Sequence, residues 1–451
     1  MKTLEQIATE LQGYDPQAMS AADVLAFLSR LVVPVQDVVE LPLLEAFGRV
    51  LADDVISPFD VPPHDNSAMD GYAFDGRQLA ADAALELEVV GTALAGKAWQ
   101  GSVLPGQCVK IMTGAVMPPG LDTVVPQEFT KLQPGRESAE NARVSIPPGL
   151  LSAGDNRRLR GEDLMQGKAA LRKGELLTPA RLGLAASLGL ETLKTWRPLR
   201  VAYFSTGDEI LSLGEAPREG AVYDSNRYTV FGMLSRLGCQ VIDMGVVRDD
   251  PVLLEAAFAR AAAQADAVIT SGGVSVGEAD FTKAMMKKLG DVAFWRIAMR
   301  PGRPMAVGRI LPAKPALSPD STGQDSHQEY SNPHGAILFG LPGNPVAVMV
   351  TFLAFVRPAL LQMMGANAAA PPLLRARSTE SIRKKPGRTE YQRGRVSTAP
   401  DGSLQVRTTG NQGSGVLSSM AEANGLIMLH HGQGSVAVGD EVDVMMFEGV
   451  L

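Results

Sequence analysis

The chain has 451 residues, of which 45% are hydrophobic and 20% charged, a composition typical of soluble globular proteins that excludes wholesale disorder. It carries 42 Lys plus Arg against 49 Asp plus Glu, a net charge of −7, and only 5% aromatic residues, so nucleic acid is not an expected partner. The two cysteines, Cys108 and Cys239, exclude a disulfide framework and a cysteine-based zinc site.

The N-terminal segment and the hydropathy pattern predict a soluble protein. Residues 1–14 lack the basic start and the apolar core of a signal peptide. No apolar run approaches the length that crosses a bilayer. At about 150 residues per domain, the length corresponds to roughly three domains. We therefore expect a cytoplasmic, soluble, multidomain protein with no membrane partner.

The first part of the chain changes character twice. Apolar residues at helical spacing predict a helix over residues 20–32, with Ser20 as its N-cap. From Pro58 to about Ser145 the chain is rich in Gly and Pro and has short β-prone runs, which predicts a small β domain. A further helix is predicted over residues 179–190, ending at Gly189.

A glycine-rich string in the β region resembles a nucleotide-binding loop but lacks its context. Residues 91–98, GTALAGKA, miss the GxxxxGK[ST] pattern because Ala98 stands where a magnesium-holding hydroxyl is needed. Trp99 and Gln100 follow it instead of a helix. We interpret this string as a β turn.

From Leu199 onward, strands and helices alternate. The predicted strands are Arg200–Ser205, Gln240–Val247, Asp266–Thr270 and Ala336–Leu341, and the predicted helices are 227–237, 251–264, 279–289 and 345–362. Such alternation is typical of a doubly wound, mostly parallel sheet. The sequence therefore predicts a central α/β domain.

The C-terminal third departs from this alternation. Residues 313–334 are polar and rich in Pro and Ser, which predicts a solvated surface insertion. After Pro371, short alternating segments predict a second β module, either a small barrel or a sandwich. Residues 375–395 hold eight Lys or Arg against two acids. This run is either a solvated basic edge or one wall of an anion site.

Small and acidic residues follow every predicted strand of the α/β domain. Open parallel sheets bind ligands beyond the carboxyl ends of their strands. The loops at this edge are STGDE (205–209), VRDDP (247–251), TSGGVSVGEADF (270–281) and GLPGNP (340–345). We expect the ligand site where these loops meet.

The third of these loops has the composition of a phosphate-binding loop. Gly272, Gly273 and Gly277 precede a predicted helix, where backbone N–H groups and the helix N-terminus favour an anion. The loop matches neither the Walker A pattern nor GxGxxG. A tight connection that binds no ligand remains the alternative.

Six acids lie on the predicted loop ends: Asp208, Glu209, Asp249, Asp250, Glu278 and Asp280. Such hard oxygen ligands suit a magnesium ion that also contacts substrate phosphates. Helix capping is the alternative for Asp249 and Asp280.

Three arginines lie within eight residues around a rigid Pro-Gly turn: Arg296, Arg300 and Arg303. A single arginine is usually a surface charge, but three planar donor groups beside the acidic and glycine-rich loops favour oxyanion recognition. The polar strings 62–73, 112–120 and 157–163 have the composition of turns, which needs no function.

Taken together, the ordered strings resemble the MoeA family of molybdopterin molybdenumtransferases, to which the E domain of gephyrin is related. The matching strings are PPHDNSAMDGYA, MTGAVMPPGLDTVV, RRLRGEDL, STGDEI, YDSN, TSGGVSVGEADF, RPGRP, GLPGNP and TTGNQGSG. They span roughly residues 40 to 420 in the family's order. The ordered set is far more specific than any single string.

The resemblance implies a homodimer whose chain forms four domains. These are an elongated dimerisation domain (1–58 and 146–180), an inserted β domain (59–145), an α/β molybdopterin-binding domain similar to MogA (181–366) and a C-terminal β-barrel-like domain (367–451). The implied reaction is insertion of molybdenum from molybdate into adenylylated molybdopterin, with release of AMP and with magnesium as cofactor. Molybdopterin adenylyltransferase and the proteins that mature molybdoenzymes are the implied partners.

The resemblance also implies roles for individual residues. The implied catalytic positions are Asp70, Thr113, Asp163, Glu209, Asp249, Asp280, Arg296, Arg300, Pro342 and Pro345. The implied metal ligands are Glu209 and Asp280. The implied positions that hold the pterin or adenylate phosphates are Ser271, Gly272, Gly273, Ser275 and Gly277, and those that hold molybdate are Arg303, Arg393 and Ser414. Asp70, Thr113 and Asp163 are implied to reach the cleft from another domain, supplied by the second subunit.

Three positions depart from the family's pattern. Relatives often have lysines where this chain has Arg300 and Arg303, which keeps the charge but changes the geometry of the donors. Relatives often have a serine where this chain has Ala347, which removes one hydroxyl.

Two other functions remain open from the sequence. Molybdopterin adenylyltransferase uses a similar α/β domain alone, and the additional N-terminal and C-terminal modules speak against that activity. A scaffold that binds the pterin without catalysis needs no change of fold. The acids and arginines retained on the loops favour an enzyme.

Overall fold

A computed structural model describes residues 2–132, 142–273, 280–311, 332, 335–367 and 369–448, with the backbone alone for 132 and 280–284. The chain divides into two compact units. Unit 1 comprises Met1–Asp53, Gly174–Pro179 and Thr192–Leu451, and unit 2 comprises Asp54–Lys173 and Ala180–Glu191. Apart from Asn332, the insertion predicted at 313–334 lies outside the described residues.

The helices begin close to where the sequence predicts them. They are α1 (Leu4–Glu10), α2 (Ala21–Leu31), α3 (Pro179–Ser187), α4 (Ser225–Arg236), α5 (Pro251–Gln264), α6 (Asp280–Leu289), α7 (Pro345–Thr351), α8 (Arg357–Met363) and α9 (Ser418–Glu422). Ser20 caps α2 as predicted, because its hydroxyl accepts the Asp23 backbone N–H at 3.2 Å. The helix predicted to end at Gly189 ends at Ser187.

The strands group into three larger sheets and several short pairs. In the first part of the chain they are β1 (Val38–Pro42), β2 (Val55–Ile56), β3 (Asn66–Ser67), β4 (Gly71–Phe74), β5 (Leu85–Ala93), β6 (Gln107–Ile111), β7 (Thr123–Pro126), β8 (Lys131–Leu132), β9 (Arg143–Ile146), β10 (Arg157–Arg158) and β11 (Ala169–Leu171). The later strands are β12 (Thr192–Trp196), β13 (Arg200–Thr206), β14 (Ile210–Leu211), β15 (Val222–Tyr223), β16 (Gln240–Val247), β17 (Ala267–Ser271), β18 (Gly290–Arg296), β19 (Met299–Arg300), β20 (Pro304–Ile310), β21 (Ala336–Leu341), β22 (Leu373–Ser378), β23 (Thr389–Thr398), β24 (Leu404–Thr408), β25 (Gly425–Leu429) and β26 (Glu441–Met446).

The central sheet of unit 1 has the strand order β16-β13-β17-β21-β20-β18. Its first four strands are parallel, which confirms the predicted doubly wound α/β domain. The last two strands, β20 and β18, are antiparallel and were not predicted. Antiparallel neighbours need no crossover helix, so they do not produce the strand–helix alternation from which the other strands were predicted.

Apolar residues cover both faces of this sheet. Along β13, Val201 and Tyr203 face the cluster that contains α2, α4 and α7, whereas Ala202 and Phe204 face the cluster that contains α5. All residues of β17 and β21 are buried. Burial on both faces explains why these strands read as continuous apolar runs in the sequence.

A continuous apolar helical stretch supports the sheet. The chain Pro345–Met363 comprises α7, a π-helical turn (Phe352–Val356) and α8, where the sequence predicted one helix over 345–362. By length and composition this stretch could cross a membrane, contrary to the expectation that no such run exists, but 78% of it is buried inside the protein. It is therefore placed as a core helix of unit 1.

The C-terminal β module is a closed barrel. β23, β24, β22, β26 and β25 pair in that order, and a β23–β25 pairing closes the ring. Of the two predicted alternatives, barrel and sandwich, the barrel is therefore the correct one. The short strand β19 pairs with β23 through Met299 and Thr389, which ties the RPGRP turn to the barrel.

Unit 2 contains the predicted β domain. Its main sheet has the order β7-β4-β6-β5-β9-β8. β5 ends at Ala93, and the Lys97 N–H donates to the Leu94 carbonyl at 3.0 Å. Residues 91–98, the string that resembles a nucleotide-binding loop, are therefore the end of a strand and a tight turn, as interpreted from the sequence.

Candidate active site

Three neighbouring parallel strands end at one cavity in unit 1. β13, β17 and β21 lie side by side and end at Thr206, Ser271 and Leu341. A cavity of about 500 Å³ opens at this edge. It is lined by Thr206, Glu209, Ile210, Val222, Tyr223, Asp224, Ser225, Asn226, Ser271, Gly272, Gly343, Asn344, Pro345, Gly415 and Leu417. The structure thus brings together three of the loops that the sequence pattern predicts to meet.

Gly272 allows the loop after β17 to pass close to β13. Its φ is +96°, and a Cβ atom there would lie 2.3 Å from the Thr206 carbonyl oxygen. No other residue fits without a shift of the backbone. The Gly272 N–H donates to the Leu341 carbonyl at 3.2 Å, so this N–H does not serve a phosphate.

A buried network of hydroxyl groups lies beneath the cavity. The Tyr203 hydroxyl is 2.9 Å from Ser205 Oγ and 2.7 Å from Ser271 Oγ. Burial raises the pKa of the Tyr203 phenol well above its ordinary value, so the network is neutral at physiological pH. It fixes Ser271, the last residue of β17, against the neighbouring strand β13.

Two polar residues at the start of α4 carry unpaired oxygen atoms at the cavity wall. Asp224 is the N-cap of α4 and Asn226 lies in its first turn. Both are buried, with 4% and 8% of their surface exposed. Asp224 Oδ2 and Asn226 Oδ1 have no hydrogen-bond partner among the described residues.

The acidic loops surround the same sheet edge. Glu209 lines the cavity, and Asp249 accepts a hydrogen bond from the Thr206 hydroxyl. The Asp249 N–H lies 3.4 Å from Asp208 Oδ1. Asp250, not Asp249, caps α5, since its carboxylate accepts two backbone N–H groups at 2.9 and 3.0 Å. The capping alternative for Asp249 is therefore wrong.

The described carboxylates form no closed metal cage. In the described part of the chain there is no group of three or more His, Cys, Asp or Glu side chains that could hold a metal ion. Asp280 begins α6, and its side chain lies outside the described residues, as does Glu278. A magnesium ion shared with substrate phosphates uses only one or two protein carboxylates, so the oxygen donors at this edge fit such an ion.

A second, cationic cavity adjoins the first. It measures about 330 Å³ and is lined by Arg300, Pro301, Gly302, Arg303, Pro304, Pro342, Gly343, Asn344, Ala347, Gln412 and Ser414. Gly343 and Asn344 belong to the walls of both cavities. Asn344 Nδ2 donates to Ser414 Oγ at 3.1 Å, which joins the GLPGNP loop to the barrel. Two guanidinium groups and a hydroxyl are suitable ligands for an oxyanion.

Arg393 lies outside the lining of this cationic cavity. It is 1% exposed, and its guanidinium donates to Ser419 Oγ at 2.9 Å and to the carbonyls of Asn411 and Gly413 at 3.1 and 3.0 Å. Burial and the nearby Arg300 lower its pKa to about 10. The structure therefore shows Arg393 as a support of the loop that carries Ser414, rather than as a wall of the anion pocket.

The basic run at 375–395 has no single environment. Arg375 lies 3.4 Å from Glu441 on the surface, and Arg388 pairs with the buried Glu390 at 2.7 Å. Lys384 is buried, and its Nζ donates to the Gln433 carbonyl at 2.7 Å. Neither the solvated edge nor the anion wall describes the whole run.

Unit 2 contains three of the sequence-derived site residues. The backbone N–H and the hydroxyl of Thr113 each donate to Asp70 Oδ1 at 2.7 Å. These hydrogen bonds lower the pKa of the Asp70 carboxyl. Asp163 lies beside Arg158 and Glu162 in a separate surface cleft of unit 2. The structure therefore pairs Asp70 with Thr113 and places Asp163 in a different cleft.

Several expected residues are not among those that line the two cavities. Arg296 ends β18, and its exposed position is fixed by backbone hydrogen bonds to Pro16 and Met19. Gly273 is described but does not line either cavity. Ser275 and Gly277 lie outside the described residues.

Sequence reasoning missed Asp224, Asn226, Asn344 and Gln412 as candidate site residues. The strings YDSN, GLPGNP and TTGNQGSG contain them, but each string is also explained by capping or turn formation. The available signal was the position of GLPGNP at the end of a buried strand, where Asn344 is the N-cap residue of α7.

Three regions of the chain match known protein families. Residues 19–189 match the MoeA N-terminal region (domain I and II), residues 202–362 match a probable molybdopterin binding domain, and residues 375–447 match the MoeA C-terminal region (domain IV).

Individual proteins also match this chain along almost their whole length. A molybdopterin molybdenumtransferase of Haemophilus influenzae is 39% identical over 91% of this chain and 94% of its own length. A molybdopterin molybdenumtransferase of Nostoc sp. is 34% identical over 95% of this chain and 93% of its own length. The crystal structure of a molybdopterin biosynthesis MoeA protein from Pyrococcus horikoshii superposes with a TM-score of 0.73 at 26% identity, covering 95% of this chain and all of that one.

Proposed function

The chain belongs to the MoeA family, and from this premise we propose how its residues act on their substrates. It is an enzyme of molybdenum cofactor biosynthesis, a molybdopterin molybdenumtransferase. The finer proposal is that it inserts molybdenum from molybdate into adenylylated molybdopterin and releases AMP.

One observation carries this proposal: two chemically different cavities adjoin. The larger one has acceptor oxygens, hydroxyls and three glycines, whereas the smaller one has the guanidinium groups of Arg300 and Arg303. Gly343 and Asn344 form part of both walls. We propose that the pterin substrate occupies the larger cavity and that molybdate occupies the smaller one, which brings the two reactants next to each other.

The chain's own residues suit cleavage of a phosphoanhydride. This reaction requires neutralisation of charge on the phosphate oxygens more than a protein nucleophile. Burial raises the pKa of the Cys108 and Cys239 thiols to about 12, so neither is a thiolate at neutral pH. Arg300 and Arg303 provide fixed positive charge at the cavity.

We further propose a magnesium ion held by Glu209, with Asp280 as its expected second ligand. When bound, the ion would supply positive charge at the phosphate oxygens. Glu209 lies in the wall of the larger cavity, which supports this assignment.

A homodimer without nucleic-acid or membrane partners and a cytoplasmic location also belong to the proposal. Exposed apolar side chains support the dimer, since Leu44 is 88% and Phe47 58% exposed in the N-terminal part of unit 1. Molybdopterin adenylyltransferase is the proposed supplier of the adenylylated substrate.

The test is reconstitution from purified components. Protein, adenylylated molybdopterin, magnesium and molybdate are mixed, and AMP release is measured as molybdate is varied. We expect molybdate-dependent AMP release, and we expect Arg303→Ala to raise the KM for molybdate at least tenfold. Arg407→Ala is the matched control because Arg407 is an exposed cation on the barrel outside both cavities.

Two outcomes would contradict the proposal. Pterin binding without turnover would indicate a scaffold rather than a transferase. Formation of adenylylated molybdopterin from ATP would indicate the adenylyltransferase.

A further inference from the structure

The wall of the larger cavity contains a pair of acceptor oxygens that the protein itself leaves unused. Asp224 Oδ1 accepts from Ser205 Oγ at 2.9 Å and from the Arg227 N–H at 3.1 Å. Its other oxygen, Oδ2, is buried and has no partner in the described part of the chain. A buried carboxylate oxygen without a donor is costly, so this atom is available to a hydrogen-bond donor that enters the cavity.

Asn226 presents a second acceptor beside it in sequence. Its Nδ2 donates to the Gly343 carbonyl at 2.7 Å, and a carbonyl can only accept. This bond fixes the orientation of the amide and leaves Oδ1 without a described partner. Both residues line the cavity and both are more than nine-tenths buried.

Among the described side chains, the nearest basic residue along the chain is not bonded to the free oxygen of Asp224. Arg227 is the basic residue closest in sequence, and its guanidinium is bound to Asp243 at 2.8 and 3.0 Å. The negative charge of Asp224 also disfavours a phosphate at this part of the wall. The proposed occupant of this part of the cavity is therefore a group that offers hydrogen-bond donors and carries no negative charge.

The donor pattern of the two halves of the substrate differs. The pyrimidinone edge of a pterin presents two adjacent donors, N3–H and the 2-amino group. The Watson–Crick and Hoogsteen edges of adenine each present the 6-amino donor next to a ring-nitrogen acceptor. A pair of acceptors therefore matches the pterin and mismatches adenine.

We propose that Asp224 and Asn226 recognise the N3–H and 2-amino donors of the pterin ring and so orient the substrate in the larger cavity. This assignment rests on the proposed function, which places the pterin there. It makes the two residues specificity determinants rather than catalytic groups. The dithiolene end of the substrate would then lie toward the cationic cavity.

Asp224→Asn is the decisive variant because asparagine is as good an N-cap as aspartate. Its amide oxygen can keep the bonds to Ser205 and Arg227, while an NH₂ group replaces the free Oδ2. That donor would face the donors of the pterin. The melting temperature of the variant serves as the control for folding.

The probes are 6-hydroxymethylpterin, lumazine and AMP, each titrated calorimetrically into the full-length protein. Lumazine has an oxygen in place of the 2-amino group. We expect the wild type to bind the pterin about 10- to 100-fold more tightly than lumazine, the factor expected for one charge-assisted hydrogen bond. Asp224→Asn should lose that preference and keep its affinity for AMP.

Equal wild-type affinity for pterin and lumazine, no binding of the pterin at all, or an unchanged preference in Asp224→Asn would each overturn the assignment. The AMP-release assay of the proposed function is independent of these titrations. A wild type that turns over but does not discriminate between pterin and lumazine refutes this inference alone. A wild type that discriminates but does not turn over refutes the transferase and leaves the recognition intact.

Discussion

Replacement of Arg393 by methionine tests whether the molybdate pocket depends on a buried support behind it. Arg393 makes three side-chain hydrogen bonds, to Ser419 Oγ and to the carbonyls of Asn411 and Gly413. Methionine has a similar length and no donor. The substitution therefore removes the bonds with little loss of volume.

The expected loss of stability follows from the groups left without donors. The Ser419 hydroxyl keeps its own bond to the Val416 carbonyl at 2.6 Å, and the Gly413 carbonyl keeps the Val416 N–H at 3.3 Å, so only the Asn411 carbonyl is left without a described donor. An unsatisfied carbonyl costs about 1 to 3 kcal/mol, and relief of the buried guanidinium offsets part of this cost. We expect a net destabilisation of about 1 to 2 kcal/mol.

The same change should weaken molybdate binding through the loop. Gln412 accepts the Arg393 N–H at 2.8 Å, and Gln412 and Ser414 both line the cationic cavity. Loss of the guanidinium removes one hydrogen bond from the carbonyl on each side of Gln412. We expect a raised KM for molybdate with a smaller change in kcat, because Arg300 and Arg303 remain in place.

The assays are thermal unfolding and AMP release as a function of molybdate concentration. Arg395→Met is the matched control, since Arg395 lies two residues along the same strand and is exposed. A variant of Arg393 with normal stability but no molybdate binding at any concentration would refute the supporting role. It would show instead that the guanidinium contacts the anion directly.

Two further predictions concern the other parts of the site. Gly272→Ala should lower the rate of AMP release at least tenfold, because the new Cβ would lie 2.3 Å from the Thr206 carbonyl oxygen. Gly434→Ala is the control, since a Cβ at that position meets open space. Equal rates of AMP release for the two variants would contradict the reasoning. Thr113→Val should raise the pKa of Asp70 toward its ordinary 3.8, because one of two donors is lost. The Asp70–Thr113 hydroxyl bond stabilises the folded state above the ordinary pKa, and this stabilisation is lost as pH falls through the lowered pKa. The measurement is a carboxyl titration followed by ¹³C NMR. The same Asp70 pKa in the wild type and in Thr113→Val would contradict the role of the hydroxyl bond.

The parallel strands of the central sheet were predictable because most of them are buried on both faces. β16 and β21 have the predicted bounds, and β13 and β17 differ from them by one residue. β13, β17 and β21 are buried and mostly apolar, whereas β16 is only partly buried. The glycine-rich or acidic loops that follow the four strands are strong end signals. β18 and β20 lacked these signals, because they are antiparallel and Arg296 ends the first of them.

The environment of each charged residue was less predictable, since it depends on what packs against it. Arg375 and Arg393 belong to the same basic run, yet Arg375 lies on the surface and Arg393 is 1% exposed. Composition gives both the same charge, and only the closure of the barrel around β23 separates them. Charge in a sequence therefore indicated that an anion site was present but not which arginine would line it.

The acceptor pair at Asp224 and Asn226 shows why a complete local explanation can hide a site. Asp224 caps α4, and capping accounts for an aspartate at that position without any ligand. A cap uses one carboxylate oxygen, however, and only the structure shows that the second oxygen is buried at a cavity wall. Asn226 reaches the same wall because its amide is held by Gly343, more than a hundred residues away in the chain. The site therefore arises from unused hydrogen-bonding capacity in residues that already have a structural role.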